Sequence, residues 1–465
     1  MTDSSRFSPL GRRKFLALGA LGATAAAFPH IWVPRTAAAQ TAASGAIKHL
    51  VYIRLSGGFR FPTAFNGAVG GQFNPFGVAS GVADGTDWGV SKLLERATFL
   101  DDELLADSGM KAVPKLANRI TVMPTVDHEP LAGGADGNHE TGLERYLTGF
   151  VNGEAGFFTR IQLGLKQRYA DALTEGKLIL PPFVMGSSSM GRGLGVFAPH
   201  RPPVLNGASF DRFTSNGVGV PDWAEEMVKA TDTRMRDRQH PALRSRVDAY
   251  IQTREATKAY ADIFASEQLK IENGSEEEFD GISNKTLRDY FGDSGESRNV
   301  RLGLRLFHYG CPAIYLDQGG YDYHSGEADS LPGAMENVNR LISALMAVLP
   351  KMKHPDGGSY WDHTVVAFGS EFSRTAHGGG FNSARGSDHG GDYATRWMSM
   401  PFFGGPIKGG RIVGASTKPE DLAPDGTVYS YRAVLNTLMD GLGCEPGSEA
   451  FFPGDIMVPD LLGAV

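Results

Sequence analysis

Tyr360 to Gly391 reads YWDHTVVAFGSEFSRTAHGGGFNSARGSDHGG. Within a short buried strand predicted over Trp361 to Phe372, the apolar, β-branched run is Thr364 to Phe368. It leads straight into Ser370-Glu371-Phe372, so the strand delivers a carboxylate at its end. Seventeen residues after Glu371, beyond a Gly-rich segment, comes Asp388-His389-Gly390. A strand that ends in a carboxylate and continues into a Gly-rich loop carrying Asp-His is how an α/β sheet builds a site for a hard cation and an anion. This stretch is the expected chemical centre.

Working outward, other segments repeat the pattern. Ile47 to Leu55 predicts a buried strand closed by Ser56-Gly57-Gly58, where the glycines imply positive φ or close backbone approach. Cys311 to Leu316 predicts another, ending in Asp317-Gln318-Gly319-Gly320-Tyr321-Asp322-Tyr323-His324. Ile120 to Met123 and Leu178 to Met185 predict two more. Past the Ile120 strand, Asn138-His139 precedes a helix from Thr141 to Leu147, whose N-terminal N–H groups could hold an anion. Helical spacing also marks Phe157 to Tyr169, Val300 to His308, Leu331 to Leu349 and Tyr431 to Leu442, and Arg411 to Val413 predicts a small edge strand. Strands alternating with helices imply an α/β fold with a largely parallel central sheet flanked by helices, its chemistry at the carboxyl edge. Residues at about 222 to 290 differ in being charged and helical, which predicts a helical insertion over one edge of the sheet with a solvated face. The rest of the chain, from residue 40 to 465, reads as a single domain.

The N-terminus carries a different message. Arg12-Arg13-Lys14-Phe15-Leu16, an apolar Ala/Gly-rich run to Phe28 and Ala37-Ala38-Ala39 predict a twin-arginine signal peptide over residues 1–39. The run is shorter than the about 20 residues that span a bilayer, so no stable membrane anchor is expected after cleavage. The expected partner is the twin-arginine export machinery, and the expected location is periplasmic or secreted. Removing the leader takes away five basic residues and one acid, which moves the formal charge from −7 to −11. Such an acidic chain is a poor nucleic-acid binder, because neutralising phosphates needs clustered Lys and Arg. Cys311 and Cys444 could pair in an oxidising compartment or remain buried free thiols.

Three successive strand-end segments therefore carry metal-type ligands: Asp322 with His324, Glu371, and Asp388 with His389. His139 is a fourth contributor. Carboxylates suit hard cations and imidazole borderline ones, so the mixture fits one or two divalent ions, zinc or manganese first and magnesium or calcium as alternatives. Each piece alone has a plain structural reading: YDYH and SDHG commonly form turns, and Glu371 could pair with Arg374 or Arg385. Their conjunction at successive strand ends points to metal.

The segments GGYDYHSG, TVVAFGSEFSRT, SDHGG and GGPIKGGRIVG, behind a twin-arginine leader, resemble the DUF1501 family of exported proteins, placed in the alkaline-phosphatase-like/sulfatase superfamily. The resemblance implies an alkaline-phosphatase-like core with metals at the strand ends, and Asp322, His324, Glu371, Asp388 and His389 at ligand positions. Two departures follow from it. Where the family has an aspartate after the first strand, this chain has Arg60, which cannot ligate because a guanidinium has no acceptor. Where the family has Ser-His, this chain has Asn138-His139, and Asn138 is no nucleophile.

Together these expectations describe an exported metal-dependent hydrolase of phosphate or sulfate esters. Arg60 and Arg374 would orient a small anionic ester substrate, and Thr141 or a metal-bound water would attack it. The rival is a non-catalytic periplasmic binding or assembly protein on the same fold with at most a structural ion. A Ser-His-Asp esterase is a weaker third reading, since no G-x-S-x-G elbow follows a strand.

Overall fold

A computed structural model describes residues 46–66, 74, 76–128, 138–175, 177–186, 189–207, 222–241, 243–244, 247, 251, 260, 262–324, 326–374, 396–420 and 423–463. The leader falls outside these residues. The chain divides into two compact units, residues 38–211 with 267–465, and residues 1–37 with 212–266.

The larger unit is built on an eight-stranded sheet. In chain order its strands are β1 (His49–Leu55), β2 (Ile120–Asp127), β3 (Phe183–Met185), β4 (Val204–Leu205), β5 (Ala313–Gln318), β6 (Thr364–Gly369), β7 (Trp397–Phe403) and β8 (Tyr429–Ser430). Their spatial order is β8-β2-β7-β6-β1-β5-β3-β4. Every pairing is parallel except those of β7, which runs antiparallel between β2 and β6. The expected α/β class with a largely parallel sheet is thus the one observed. Among the described residues, no helix is long and apolar enough to cross a membrane.

Burial explains why these segments became strands. β1 and β6 are buried at every position, as mostly apolar strands covered on both faces are. Leu50, Tyr52, Tyr315, Val365 and Ala367 share one core with helices α1 (His139–Thr148), α2 (Phe157–Gly164) and α5 (Tyr431–Gly441). Within it the Tyr431 hydroxyl donates to the Tyr146 carbonyl at 2.8 Å and lies 2.7 Å from the Tyr52 hydroxyl, which must therefore donate to Tyr431. Pleating sends Val51, Ile53, Ile314 and Leu316 to the other face. There α3 (Gly295–Leu306) packs against Ile314 through Gly303, where a Cβ would come within 2.5 Å of the Ile314 side chain. α4 (Glu327–Val348) completes the larger unit's long helices.

Local expectations shift at three places. Tyr360–His363 is a single helical turn rather than the start of the strand, because Ser359 and Asp362 close a capping box around it. Arg411 to Val413 contributes one bridge, Ile412 to Val122, not a strand. Cys311 and Cys444 are both free and buried, and burial pushes both thiols up. In the smaller unit, Asp222–Arg238 is a helix, mostly exposed along its described side chains.

At the amino edge of the sheet lies a pair of histidines that admits only one protonation pattern. His49 Nδ1 is 2.7 Å from the Cys311 carbonyl, which can only accept, so that nitrogen carries the proton. His49 Nε2 then accepts from His354 Nε2 at 3.0 Å, and His354 Nδ1 accepts the Asp356 N–H at 3.1 Å. Adding a proton to either ring sets a donor against a donor. Burial is also the main reason that His49 sits well below 6.5 and that His354 is pushed down to about 4. Because the folded values are depressed, this stabilisation is complete above about pH 6.5 and is lost as pH falls toward 4. Urea unfolding of the wild type should lose stability on the order of 1–3 kcal/mol across that window from this pair. In His354→Gln, whose amide can donate to His49 and accept from Asp356, the pH slope should be shallower. Equal slopes in the two proteins contradict the assignment.

Candidate metal centre

Parallel strands put their carboxyl ends, and the segments that follow, on one edge of the sheet. β1 delivers Ser56 to Arg60, β5 delivers Gly319 to His324, β6 delivers Ser370 to Arg374, and α1 begins at His139. Gly57 has φ of +109°, and a Cβ there would come within 2.4 Å of the Asp322 backbone nitrogen. Gly58 has φ of +77°, and a Cβ would fall 2.1 Å from the Phe372 ring. The Gly-Gly pair is therefore what lets the three segments touch, as its sequence position predicts.

Asp322, His324 and His139 converge here. Asp322 Oδ1 is 3.3 Å from His139 Nε2 and 3.1 Å from His324 Nε2. The three donor atoms lie within 4.8 Å of one another. The other ring nitrogen of His139 meets Glu371, whose Oε1 is 3.5 Å from Nδ1. Glu371 is buried and fixed: the Gly57 N–H donates to Oε1 at 2.7 Å, and Ser370 Oγ stands 3.1 Å from Oε2. Ser370 Oγ is itself held by the Leu55 carbonyl at 2.6 Å and the Phe59 N–H at 3.0 Å.

The charges are consistent with an ionised carboxylate pair. Burial alone would raise Glu371, but the His139 hydrogen bond, the Arg54 charge and two backbone N–H groups outweigh it and hold the carboxyl below its usual value. Asp322 is likewise lowered against its desolvation, by Arg374 first and then by the two histidines. The hydrogen bond to Glu371 raises His139. Beside them, burial raises Asp317 despite its two-bond pairing with Arg54 at 3.2 and 3.0 Å.

The donor set fits a divalent ion. Tetrahedral zinc bound at about 2.0–2.1 Å separates neighbouring donors by roughly 3.3 Å, matching the spacing around Asp322 Oδ1. If His139 Nε2 is a ligand, Nδ1 carries its proton toward Glu371, the carboxylate–histidine arrangement that fixes a ligand's tautomer. In this geometry Glu371 acts through His139, while Asp322, His324 and His139 would hold the ion.

The remaining expected site residues fall elsewhere. Arg60 does not face an anion site. It is buried and paired with Glu327 at the start of α4, its Nε 3.2 Å from both carboxylate oxygens and its Nη2 3.0 Å from Oε2. Arg374 is buried too. Its Nε donates to the Gly58 carbonyl at 2.7 Å, its Nη1 to that of Tyr323 at 2.9 Å, and its Nη2 to Tyr321 O at 3.1 Å, to Gly57 O and to Asp322 Oδ1 at 2.6 Å. It joins the loops after β1 and β5 rather than reaching for a substrate. Thr141 lies in the first turn of α1, and Asn138 caps that turn, its Oδ1 accepting the Glu140 and Thr141 N–H groups at 2.8 and 3.3 Å. Two of the helix N–H groups expected to hold an anion are therefore already engaged. Asp388, His389 and Arg385 lie outside the described residues. Ser370, Glu327 and the Arg54–Asp317 pair were missed from sequence. Only the in-register Arg54 and Asp317, one residue short of their strand ends, left a readable signal in two mostly apolar strands.

Solved structures similar to this chain at low identity include the following three. The first is an integral membrane lipooligosaccharide phosphoethanolamine transferase from Neisseria meningitidis, 10% identical, with 95% of this chain and 64% of that one covered at a TM-score of 0.35. This chain thus spans under two thirds of that protein's length. The second is a protein in the alkaline phosphatase superfamily from Vibrio parahaemolyticus, 12% identical, covering 92% and 75% at 0.31. The third is a Bacteroides thetaiotaomicron protein from work on glycosaminoglycan metabolism, 10% identical, covering 86% and 73% at 0.26. No curated protein matches the chain. The DUF1501 profile, described as a protein of unknown function, matches residues 211–457, and with more than half of its length matched the chain belongs to the DUF1501 family.

Proposed function

We propose that this chain is an exported, metal-dependent hydrolase of phosphate or sulfate esters. The observation that supports it most is the meeting of His139, Asp322 and His324 at the carboxyl edge, with Glu371 behind His139. A bound divalent ion would supply Lewis-acid polarisation of the ester oxygen. The chain's own residues would do the rest. Asp322, His324 and His139 bind and orient, and Glu371 holds the proton on His139 Nδ1. Thr141, partly buried in the helical turn that begins at His139, would serve as nucleophile, or a metal-bound water would. The RRKFL motif and the Ala-rich leader support export by the twin-arginine route, and the single domain from residue 40 with a helical insertion belongs to the same proposal.

A second reading, a binding or assembly protein that keeps the fold and one ion, is favoured by a specific observation. Arg60, Arg374 and Asn138 are all committed to structural contacts, so neither of the two arginines expected to orient an anion stands ready to do so. Turnover separates the two. The purified mature chain, loaded with zinc or manganese, should hydrolyse an aryl phosphate or an aryl sulfate, and Asp322→Ala should lower the rate at least about 100-fold, as losing transition-state electrostatics does. Metal-loaded protein that turns over neither ester supports the second reading instead.

A further inference from the structure

The oxygens around Arg374 form the kind of cage that a hard cation uses. Four backbone carbonyls, of Gly57, Gly58, Tyr321 and Tyr323, and one carboxylate oxygen of Asp322 accept from a single buried guanidinium. Carbonyls plus a carboxylate are the ligand types of calcium and similar ions. The Nη2 atom has two protons but meets three of these acceptors, so the cage holds more oxygen than a planar fork needs. The carboxylate is shared: Asp322 Oδ1 lies 2.6 Å from Arg374 Nη2, 3.3 Å from His139 Nε2 and 3.1 Å from His324 Nε2. A two-ion centre bridges its ions about 4 Å apart through this kind of carboxylate.

We propose that the Arg374 guanidinium takes the place of a second cation, so that the centre on Asp322 holds one divalent ion and one fixed organic charge. This rests on the metal reading above and sets its stoichiometry. The side chain is at once a strut between the two loops and a permanent counter-charge to Asp322. It is a positioning residue, not a catalytic one.

The test is metal content of the full mature chain after zinc loading and desalting, read by mass spectrometry, together with melting curves of Arg374→Ala in calcium chloride or low-millimolar guanidinium chloride. The expected result is one zinc per wild-type chain. Arg374→Ala should melt lower, recover part of that loss with either added cation, and take up a second equivalent of metal as calcium, while the wild type responds to neither. If Arg374→Ala does not fold, refolding yield with and without low guanidinium gives the same comparison. Arg374→Lys, which keeps the charge, should fold and retain one zinc. Two zinc ions per wild-type chain would leave the metal reading standing and overturn this one. Failure of both cations to restore Arg374→Ala also overturns it. No zinc in the wild type sinks the metal reading itself and this inference with it.

Discussion

Arg60→Ala should destabilise the protein by about 3–5 kcal/mol, the usual cost of leaving one member of a buried ion pair without its partner. Both side chains are almost fully enclosed, at 3% and 1% exposure, so the abandoned Glu327 carboxylate cannot reach water. Glu327 is the first residue of α4, where the helix dipole favours a negative charge, and Arg60 ties that end to the loop after β1. Glu327→Ala should cost a similar amount, and the double variant Arg60→Met/Glu327→Leu should recover much of it, since matched apolar replacements of buried pairs are tolerated. Chemical denaturation of the four proteins checks this. If Arg60→Ala keeps its stability but loses affinity for anions, the arginine faces a ligand and the pairing described here is not its role.

The second large effect concerns metal affinity and separates ligands from the residue behind them. Asp322→Ala should abolish stoichiometric zinc binding, because its Oδ1 is the atom both histidines share. Glu371→Ala should weaken binding by about 10–100-fold, the range for removing a carboxylate that orients a ligating histidine. It should also lower stability by about 1–3 kcal/mol, because the Gly57 N–H is left buried without its acceptor. Glu371→Gln, which can still accept from His139 Nδ1–H, should fall between the wild type and Glu371→Ala. Zinc titration against a chelating indicator measures all three. Equal losses for Asp322→Ala and Glu371→Ala would make Glu371 a direct ligand.

How much of this was legible in the sequence depended on how local the signal was. The strand at Thr364, the strand at Cys311 and the carboxylates beyond them were readable because buried parallel strands are near-continuous apolar runs and because functional side chains gather at their carboxyl ends. Gly57-Gly58 announced a close approach, though not that Asp322 and Phe372 would be the neighbours. The central antiparallel strand Trp397–Phe403 was not read, since Pro401 argues against a central strand and the run follows a long Gly-rich segment. Arg60, Arg374 and Asn138 carried chemistry-bearing side chains at the right edge of the sheet, and position alone could not say what they faced. Glu327 lies 267 residues from Arg60, and the four carbonyls around Arg374 are invisible in a sequence of side chains. Only packing discloses such partners.

The central claim is that His139, Asp322 and His324 hold a divalent ion. Anomalous diffraction from crystals of the zinc-loaded mature chain, collected on either side of the zinc absorption edge, tests it most directly. The expected result is one strong peak about 2.0–2.2 Å from His139 Nε2, His324 Nε2 and a carboxylate oxygen of Asp322, with Glu371 hydrogen-bonded to His139 Nδ1. A zinc-loaded crystal with no peak between these three side chains, or with its only peak elsewhere, contradicts the account.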